Sequence, residues 1–538
     1  MAWLFLALPM TLIVCGELDD GGWRQVLFFL SLSIIASAIW GLSEFVWTGN
    51  RASGPVIDPN SWVSVFNIFY FIVLSFFLSP RRTLSIPTLL LLLLISTAIF
   101  SAYSRVGSLN FALALIFVVT LSFLIKTLRT RLILVVLSVC ISYVSVNSLT
   151  TMEDATGNSE GYTLDARSSG WAQRFAQWES ALEQYRDYPI LGSGLGTFRL
   201  LYPAYRTQGD LDTAGNYVHN DYVQLLAETG PISTIFLALF ILYLLSGLWR
   251  HIRDLVLRKN ADAIEAIVLI VAMGTVFLHA LMNFTFYNLP NQILLALALA
   301  RLLTIEGRLY TYQKTLSSPK LVGLGVWLFY LYISFLNAID FISFDLVYGG
   351  GYVSIDQNFP GTKLGVYDVL NRIVKVRPDV AGNRFAMATL YRASFDEQPR
   401  NALEARRSLS IVTALEYQRG LEINPYHYQV RTFFAEFLKQ NPDLMNLPEI
   451  YQSPERLLSE GLNMGSCYIE RYVNLASYLT AVGRDDEAYQ LLVKGALPWH
   501  GLRYDNYEKY QSLMYRDLLR GAKKRNDIVV LQRLLKLL

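Results

Sequence analysis

The residues best suited to chemistry fall in one short stretch, Asn216-Tyr217-Val218-His219-Asn220-Asp221-Tyr222, which runs on to Ala227-Glu228-Thr229-Gly230-Pro231. Asn220 or Asp221 is a natural N-cap, because its side-chain oxygen can accept an otherwise unpaired backbone N–H. Tyr222, Leu225, Leu226 and Thr229 then follow a helical period. Gly230 can end the helix in a left-handed conformation, and Pro231 can open the next one. The spacing predicts His219 at a helix N-terminus, where backbone donors and the dipole favour an anion and disfavour imidazolium. A neutral imidazole there can accept a proton from a hydroxyl. The competing reading is a capping histidine at a membrane interface.

Long apolar segments must position this stretch. Of 538 residues, 53% are hydrophobic, and they crowd into the first two-thirds in runs that no soluble core needs. Apolar segments lie near 26–46, 62–78, 85–103, 108–125, 132–148, 231–249, 264–283, 286–305 and 321–343, after a shorter run from Trp3 to Val14. That makes about ten spans, most of them near the ~20 residues a bilayer core requires. Only helices satisfy their own backbone within lipid, so an all-α, polytopic transmembrane bundle is expected. The first run lacks the flanks of a signal peptide and reads as a short or partial membrane helix. The net charge of +3 makes no case for nucleic-acid binding. Cys15, Cys140 and Cys467 show no metal-ligand spacing, and no metal or cofactor is implied.

Basic residues recur in loops separated by even numbers of spans. They are Arg81 and Arg82; Lys126, Arg129 and Arg131; Arg250, Arg253, Arg258 and Lys259; and Arg301, Arg308, Lys314 and Lys320. By the positive-inside rule that shared side is the cytoplasm. The opposite side collects the 49–61 loop, the Ser104-Arg105-Val106-Gly107 turn, the segment from 149 to 230, the turn from Met282 to Pro290, and everything beyond about 345. Arg51, Arg105, Arg167 and Arg174 on that side run against the charge bias. Snorkelling to lipid phosphate is one explanation, and a bound anion is another.

Four regions follow: membrane helices over 1–148, an outer loop and helix region over 149–230, membrane helices over 231–344, and a helical domain over 345–538. Trp171, Phe175, Trp178, Ala181, Leu182 and Tyr185 have the spacing of an amphipathic interfacial helix. Gly192, Gly194 and Gly196 alternate without forming a nucleotide fingerprint, and they are expected to let backbone approach closely. In the last region, 414–438 and 471–496 look like tetratricopeptide helix pairs, with an Asn424-Pro425 turn and small residues at packing positions. Such repeats bind proteins or peptides more often than they catalyse.

Five ordered pieces resemble the O-antigen ligase and Wzy-type polymerase superfamily of bacterial membrane proteins, which includes related O-oligosaccharyltransferases. The pieces are Arg51 to Asn60; Tyr103 to Gly107; Arg174 to Trp178 leading to Asp187 to Gly194; His219 to Tyr222 running to Gly230; and Leu278, His279, Asn283 and Phe284 ending at Pro290. Members usually carry more spans, many have Asp where Asn283 stands, and a second small residue often occupies the place of Val106.

The resemblance implies metal-independent glycosyl transfer at the outer face of the inner membrane. The donor would be a glycan on undecaprenyl diphosphate. The acceptor hydroxyl would lie on lipid A core, another glycan or a protein. It casts His219 as the group that orients or deprotonates the acceptor, and Arg105 and Arg174, with Arg51 and Arg167 behind them, as diphosphate ligands. Asn220 and Tyr222 read as helix start and packing, Glu228 as a cap or an interfacial partner, and His279 as a bundle-facing polar contact. A lipid-linked sugar transporter would predict broken helices at mid-membrane and an internal repeat. An assembly scaffold would leave the outward arginines and His219 unexplained.

Overall fold

The computed structural model describes residues 20–49, 51–56, 58–80, 82–156, 164–210, 215–307, 363–502 and 507–537, with 328, 332 and 335; the side chains of 56, 149–170 and 363–369 lie outside that description. Among the described residues every regular element is helical. The chain forms two compact units, Met1–Phe198 with Asn216–Leu328, and Arg199–Gly215 with Phe329–Leu538.

The first unit contains α1 (Asp20–Thr48), α2 (Pro59–Leu78), α3 (Ile86–Ser101), α4 (Arg105–Ser122), α5 (Arg129–Thr156) and α6 (Leu164–Asp187). After α7 (Phe198–Tyr205) come α8 (Asp221–Leu257), α9 (Ala263–Ala280) and α10 (Leu289–Ile305). Among the described residues, six helices are long and apolar enough to cross a membrane, and α3 and α10 are shorter apolar helices. These eight cover the expected spans from 26 to 305. The runs at Trp3–Val14 and 321–343 fall outside the described residues, apart from Leu328, Tyr332 and Phe335.

Burial sorts the bundle into centre and rim. Every residue of α2 from Ser61 to Leu78 is buried, and α9 is nearly so. By contrast, α1, α5 and α8 expose Phe28, Phe29, Trp40, Ile141, Ile235 and Phe236. Large apolar side chains facing outward from long helices belong against hydrocarbon, not water.

The two ends of the bundle differ chemically. At one end Arg301 joins Glu265 and Asp20, and Arg131 donates to the carbonyls of Phe77 (2.8 Å), Ser79 (2.9 Å) and Arg82. Arg82, Arg131 and Arg301, from three of the basic clusters, therefore lie at one end. At the other end lie the starts of α2, α4, α8 and α10 and the ends of α1, α3 and α9.

The second unit contains α11 (Lys363–Val376), α12 (Ala381–Glu397), α13 (Leu403–Ile423), α14 (Tyr428–Gln440), α15 (Pro454–Asn463), α16 (Ile469–Ala481), α17 (Asp485–Leu491), α18 (Tyr507–Arg525) and α19 (Ile528–Leu537). Both stretches singled out in the sequence are helix–turn–helix pairs, α13–α14 and α16–α17. Gly420 lets Phe385 lie against α13, since a Cβ there would come within 2.2 Å of its ring. Arg199–Gly215, which precedes His219 in the chain, packs in this unit, and Gln208 Nε2 donates to the Pro498 carbonyl at 3.4 Å.

Candidate active site

Asn220 has extended backbone angles (−156°, 104°), and its side chain accepts the N–H groups of Tyr222 (3.1 Å) and Val223 (3.2 Å). It is the N-cap that the sequence predicts, so His219 sits directly before the start of α8. The φ of His219 is +55°. A left-handed non-glycine residue costs of order 1–3 kcal/mol and persists only where its surroundings hold it. Here they do. The Val218 N–H donates to Gln224 Oε1 (3.0 Å), and the Gln224 N–H donates to the Asn220 carbonyl (3.0 Å). The half-buried imidazole meets Phe284 edge to face at 5.3 Å, and Tyr217 stacks on the same ring at 4.2 Å.

Glu228 ties this loop to two others. Its buried carboxylate accepts Gly196 N–H (2.7 Å), Phe198 N–H (3.1 Å), the Tyr287 hydroxyl (2.6 Å) and Gln224 Nε2 (3.1 Å). Glu228 is thus an interior knot whose acceptors are filled by protein, rather than an interfacial partner. Burial, with the Glu228 carboxylate beside it, pushes the Tyr287 hydroxyl well up, so it stays protonated and donates.

The break in α8 falls where the sequence places it. Gly230 has positive φ (70°) with an extended ψ (−171°), so the first helical stretch ends there and a second, opened by Pro231, runs on to Leu257. Pro231 cannot donate to the Ala227 carbonyl, and Ser193 N–H fills that place at 3.0 Å while Gly194 N–H takes the Glu228 carbonyl at 2.8 Å. Backbone must come this close, as the alternating glycines suggest. A Cβ on Gly192 would lie 2.3 Å from the Glu228 carbonyl carbon, and one on Gly230 would lie 2.3 Å from the Ile190 oxygen.

Further bonds lock α8 to the turn after α9. The buried Asp221 accepts Phe286 N–H (2.7 Å) and the Thr285 hydroxyl (3.0 Å), and the Tyr222 hydroxyl donates to the Phe277 carbonyl (2.8 Å). The same turn reaches α2 through Asn288, whose Nδ2 donates to the Ser61 carbonyl at 3.5 Å, and α10 follows with Asn291 Nδ2 donating to Ser64 Oγ at 2.6 Å.

The arginines gather around the starts of α2 and α4. Arg51 donates to the Ala102 carbonyl (2.8 Å) and to Asn60 Oδ1 (3.3 Å), which also receives the Ser104 hydroxyl (2.8 Å). Ser104 caps α4, accepting Gly107 N–H at 3.2 Å. Arg105 is the first residue of α4; it is exposed and makes no ion pair or hydrogen bond with a described residue. Arg174 on α6 is half-buried over the Trp171 ring and likewise has no ion pair or hydrogen bond among the described residues. Burial holds Arg174 below its ordinary pKa, Asp58 opposes that effect and Arg51 adds to it, so the three share one electrostatic neighbourhood. Asp58 and Arg174 also act on His279, which is fully buried. Neither the His279 imidazole nor the buried Asn283 amide finds a hydrogen-bond partner among the described residues. Arg167 belongs to α6, but its side chain is outside the described ones.

Helix α6 turns its faces in an informative way. Trp171, Phe175 and Leu182 point outward, whereas Gln177, Ser180 and Gln184 are buried, and Gln184 Nε2 donates to Ser193 Oγ at 2.6 Å. The sequence reading missed Tyr217, Gln224, Phe284 and Tyr287. Its only available signal was an aromatic two residues before His219 and an aromatic-rich turn at 284–287. Among the described residues no group of three His, Cys, Asp or Glu side chains is arranged to hold a metal ion.

Residues 89–238 match the model of the O-antigen ligase family, Wzy_C. This segment supports placing the chain in the O-antigen ligase-like superfamily. The matched residues carry Arg105, Arg174, the glycine loop, His219 and the kinked part of α8. The family supports a glycan-transferring enzyme of ligase or polymerase type in polysaccharide biosynthesis, acting on a lipid-linked glycan donor and a glycan acceptor. Together with the apolar helices it indicates a multi-pass bacterial membrane protein. No curated protein matches the chain.

Proposed function

We propose that the chain transfers a glycan from undecaprenyl diphosphate to an acceptor hydroxyl at the outer face of the inner membrane, without a metal ion. The observation that carries this reading is His219, held at φ +55° at the start of α8, at the bundle end that also bears Arg105 and Arg174. His219 takes the proton of the acceptor hydroxyl as its oxygen attacks the anomeric carbon. The bond from that carbon to the diphosphate oxygen breaks, and the leaving diphosphate carries the electron pair away. Arg105 and Arg174 bind the diphosphate, assisted by Arg51 and Arg167. Because charge grows there as the bond breaks, they stabilise the transition state more than the ground state. Glu228 is not a nucleophile, since its oxygens already accept protein donors, so the expected course is single displacement with inversion. Asn220, Tyr222 and Glu228 position His219.

Within this reading the acceptor is lipid A core, as in ligases; a growing polysaccharide or a protein would make it a polymerase or an O-oligosaccharyltransferase. The outer placement of the C-terminal unit and its tetratricopeptide-like role in holding a protein partner belong to the same proposal. The test is His219→Ala at matched membrane levels. Lipid-linked glycan should accumulate while finished glycoconjugate disappears, and product size then separates ligase from polymerase. Unchanged product would favour a transporter or scaffold.

A further inference from the structure

The basic end of the bundle, away from the candidate active site, holds a cavity of about 430 Å³ lined by Asp20, Arg24, Ser79, Arg82, Asp262, Glu265, Arg301, Thr304 and Ile305. Its charges are not equivalent. Arg301 is buried and committed to protein: Nε and Nη2 reach Glu265 Oε1 at 2.9 and 2.8 Å, and Nη1 reaches Asp20 Oδ1 at 2.8 Å. That arginine bonds two of the three carboxylates and offsets one of their two charges. Asp262 is the third and stands just before α9.

Arg82 and Arg24 are less committed. Among the described residues, Arg82 lies over the Phe76 ring and reaches Asp20 only at 3.9 Å, while the exposed Arg24 makes one bond, from Nε to the Asp20 carbonyl at 3.2 Å. Most of their forked donors therefore face the cavity or solvent. The cavity also adjoins lipid-facing surface. Phe28 is exposed one helical turn beyond Arg24, and the loop carrying Arg82 runs into exposed Leu84 and Ile86.

We propose that this cavity binds the headgroup phosphate of a membrane phospholipid, with Arg24 and Arg82 as its ligands and the acyl chains lying along α1 and the start of α3. Guanidinium forks suit phosphate oxygens, and basic pockets between membrane helices are known settings for lipid headgroups. The balanced lining of three arginines and three carboxylates suits a single phosphodiester better than a polyanion. A free phosphate shares the chemistry but gains nothing from the apolar rim.

The test uses the full chain, stripped of lipid in detergent, with phosphatidylglycerol, diacylglycerol and inorganic phosphate titrated separately and binding read by native mass spectrometry and melting temperature. Phosphatidylglycerol should bind and raise the melting temperature, and diacylglycerol should not. The Arg24→Gln/Arg82→Gln variant should lose about tenfold in affinity, the scale of a lost charge-assisted hydrogen bond, while Arg253→Gln on the same side should not. Arg24→Gln alone, at an exposed position, gives a weaker loss if the double variant folds poorly. Equal binding of diacylglycerol, full stabilisation by inorganic phosphate, or an equal loss in Arg253→Gln would overturn the proposal.

Discussion

Arg131 and Arg301 at one end of the membrane bundle are used in the opposite way to Arg105 and Arg174 at the other. At the basic end, Arg131 gives its donors to three backbone carbonyls and Arg301 sits between two carboxylates. These side chains close helix termini and hold α1, α2, α5, α9 and α10 together. At the other end, Arg105 and Arg174 make no ion pair or hydrogen bond with described residues, although Arg174 is half-buried. Desolvating a cation without a counter-charge opposes folding. The same end holds His219 in a strained conformation and buries the side chains of His279 and Asn283 without hydrogen-bond partners among the described residues. Around Arg131 and Arg301 the bundle is built for cohesion. The other end keeps polar groups at a cost to stability, which is the usual signature of a site prepared for a ligand.

Breaking this comparison should give effects of different kinds. The largest is expected at His219. His219→Gly should lower transfer by about 10²–10⁴-fold, the usual worth of a general base, yet melt no lower than the parent, because glycine accepts positive φ without strain. Turnover and thermal melting of purified protein check both halves. Arg301→Leu should do the reverse. It leaves Glu265 buried beside an apolar side chain, at about 3–5 kcal/mol for a broken buried pair, and Arg301→Leu/Glu265→Leu should recover part of the loss in a melting assay.

Gly192→Ala sharpens the link between stability and site. A Cβ there would lie 2.3 Å from backbone of α8. The strain, about 1–3 kcal/mol as for other overpacking changes, should appear as faster proteolysis between 189 and 198, with lower transfer. The smallest effect lies in the second unit. Burial pushes the Cys467 thiol up to about 11. Its alkylation in folded protein should be slow at pH 8 and rise about tenfold per pH unit toward 10, since only the thiolate reacts. A fast, pH-independent reaction would contradict that burial.

Much of the fold was legible because its signals are local. Apolar runs of span length, an Asn before an amphipathic period, and Gly-Pro after it all reappear as helices, N-cap and kink. What caps that break was not legible. Ser193 and Gly194 supply the N–H groups for the carbonyls freed at Gly230 from more than thirty residues away in the chain. The role of Glu228 was hidden for the same reason, since three of its four donors come from distant segments. His219 could be found from its place in a motif. Its aromatic bracket could not, because Tyr217 and Phe284 meet only once α9 and its turn return to the start of α8.

The most direct measurement compares Arg105→Ala/Arg174→Ala with Arg131→Ala in purified protein, following both melting temperature and glycan transfer from a polyprenyl-diphosphate donor. The account predicts that the first variant loses transfer, chiefly through weaker donor use, while its melting temperature holds or rises. The second should melt lower and lose transfer only in proportion to the protein unfolded. A double variant at Arg105 and Arg174 that melts like the Arg131 variant, or that transfers glycan like the parent, would contradict the division between the two ends.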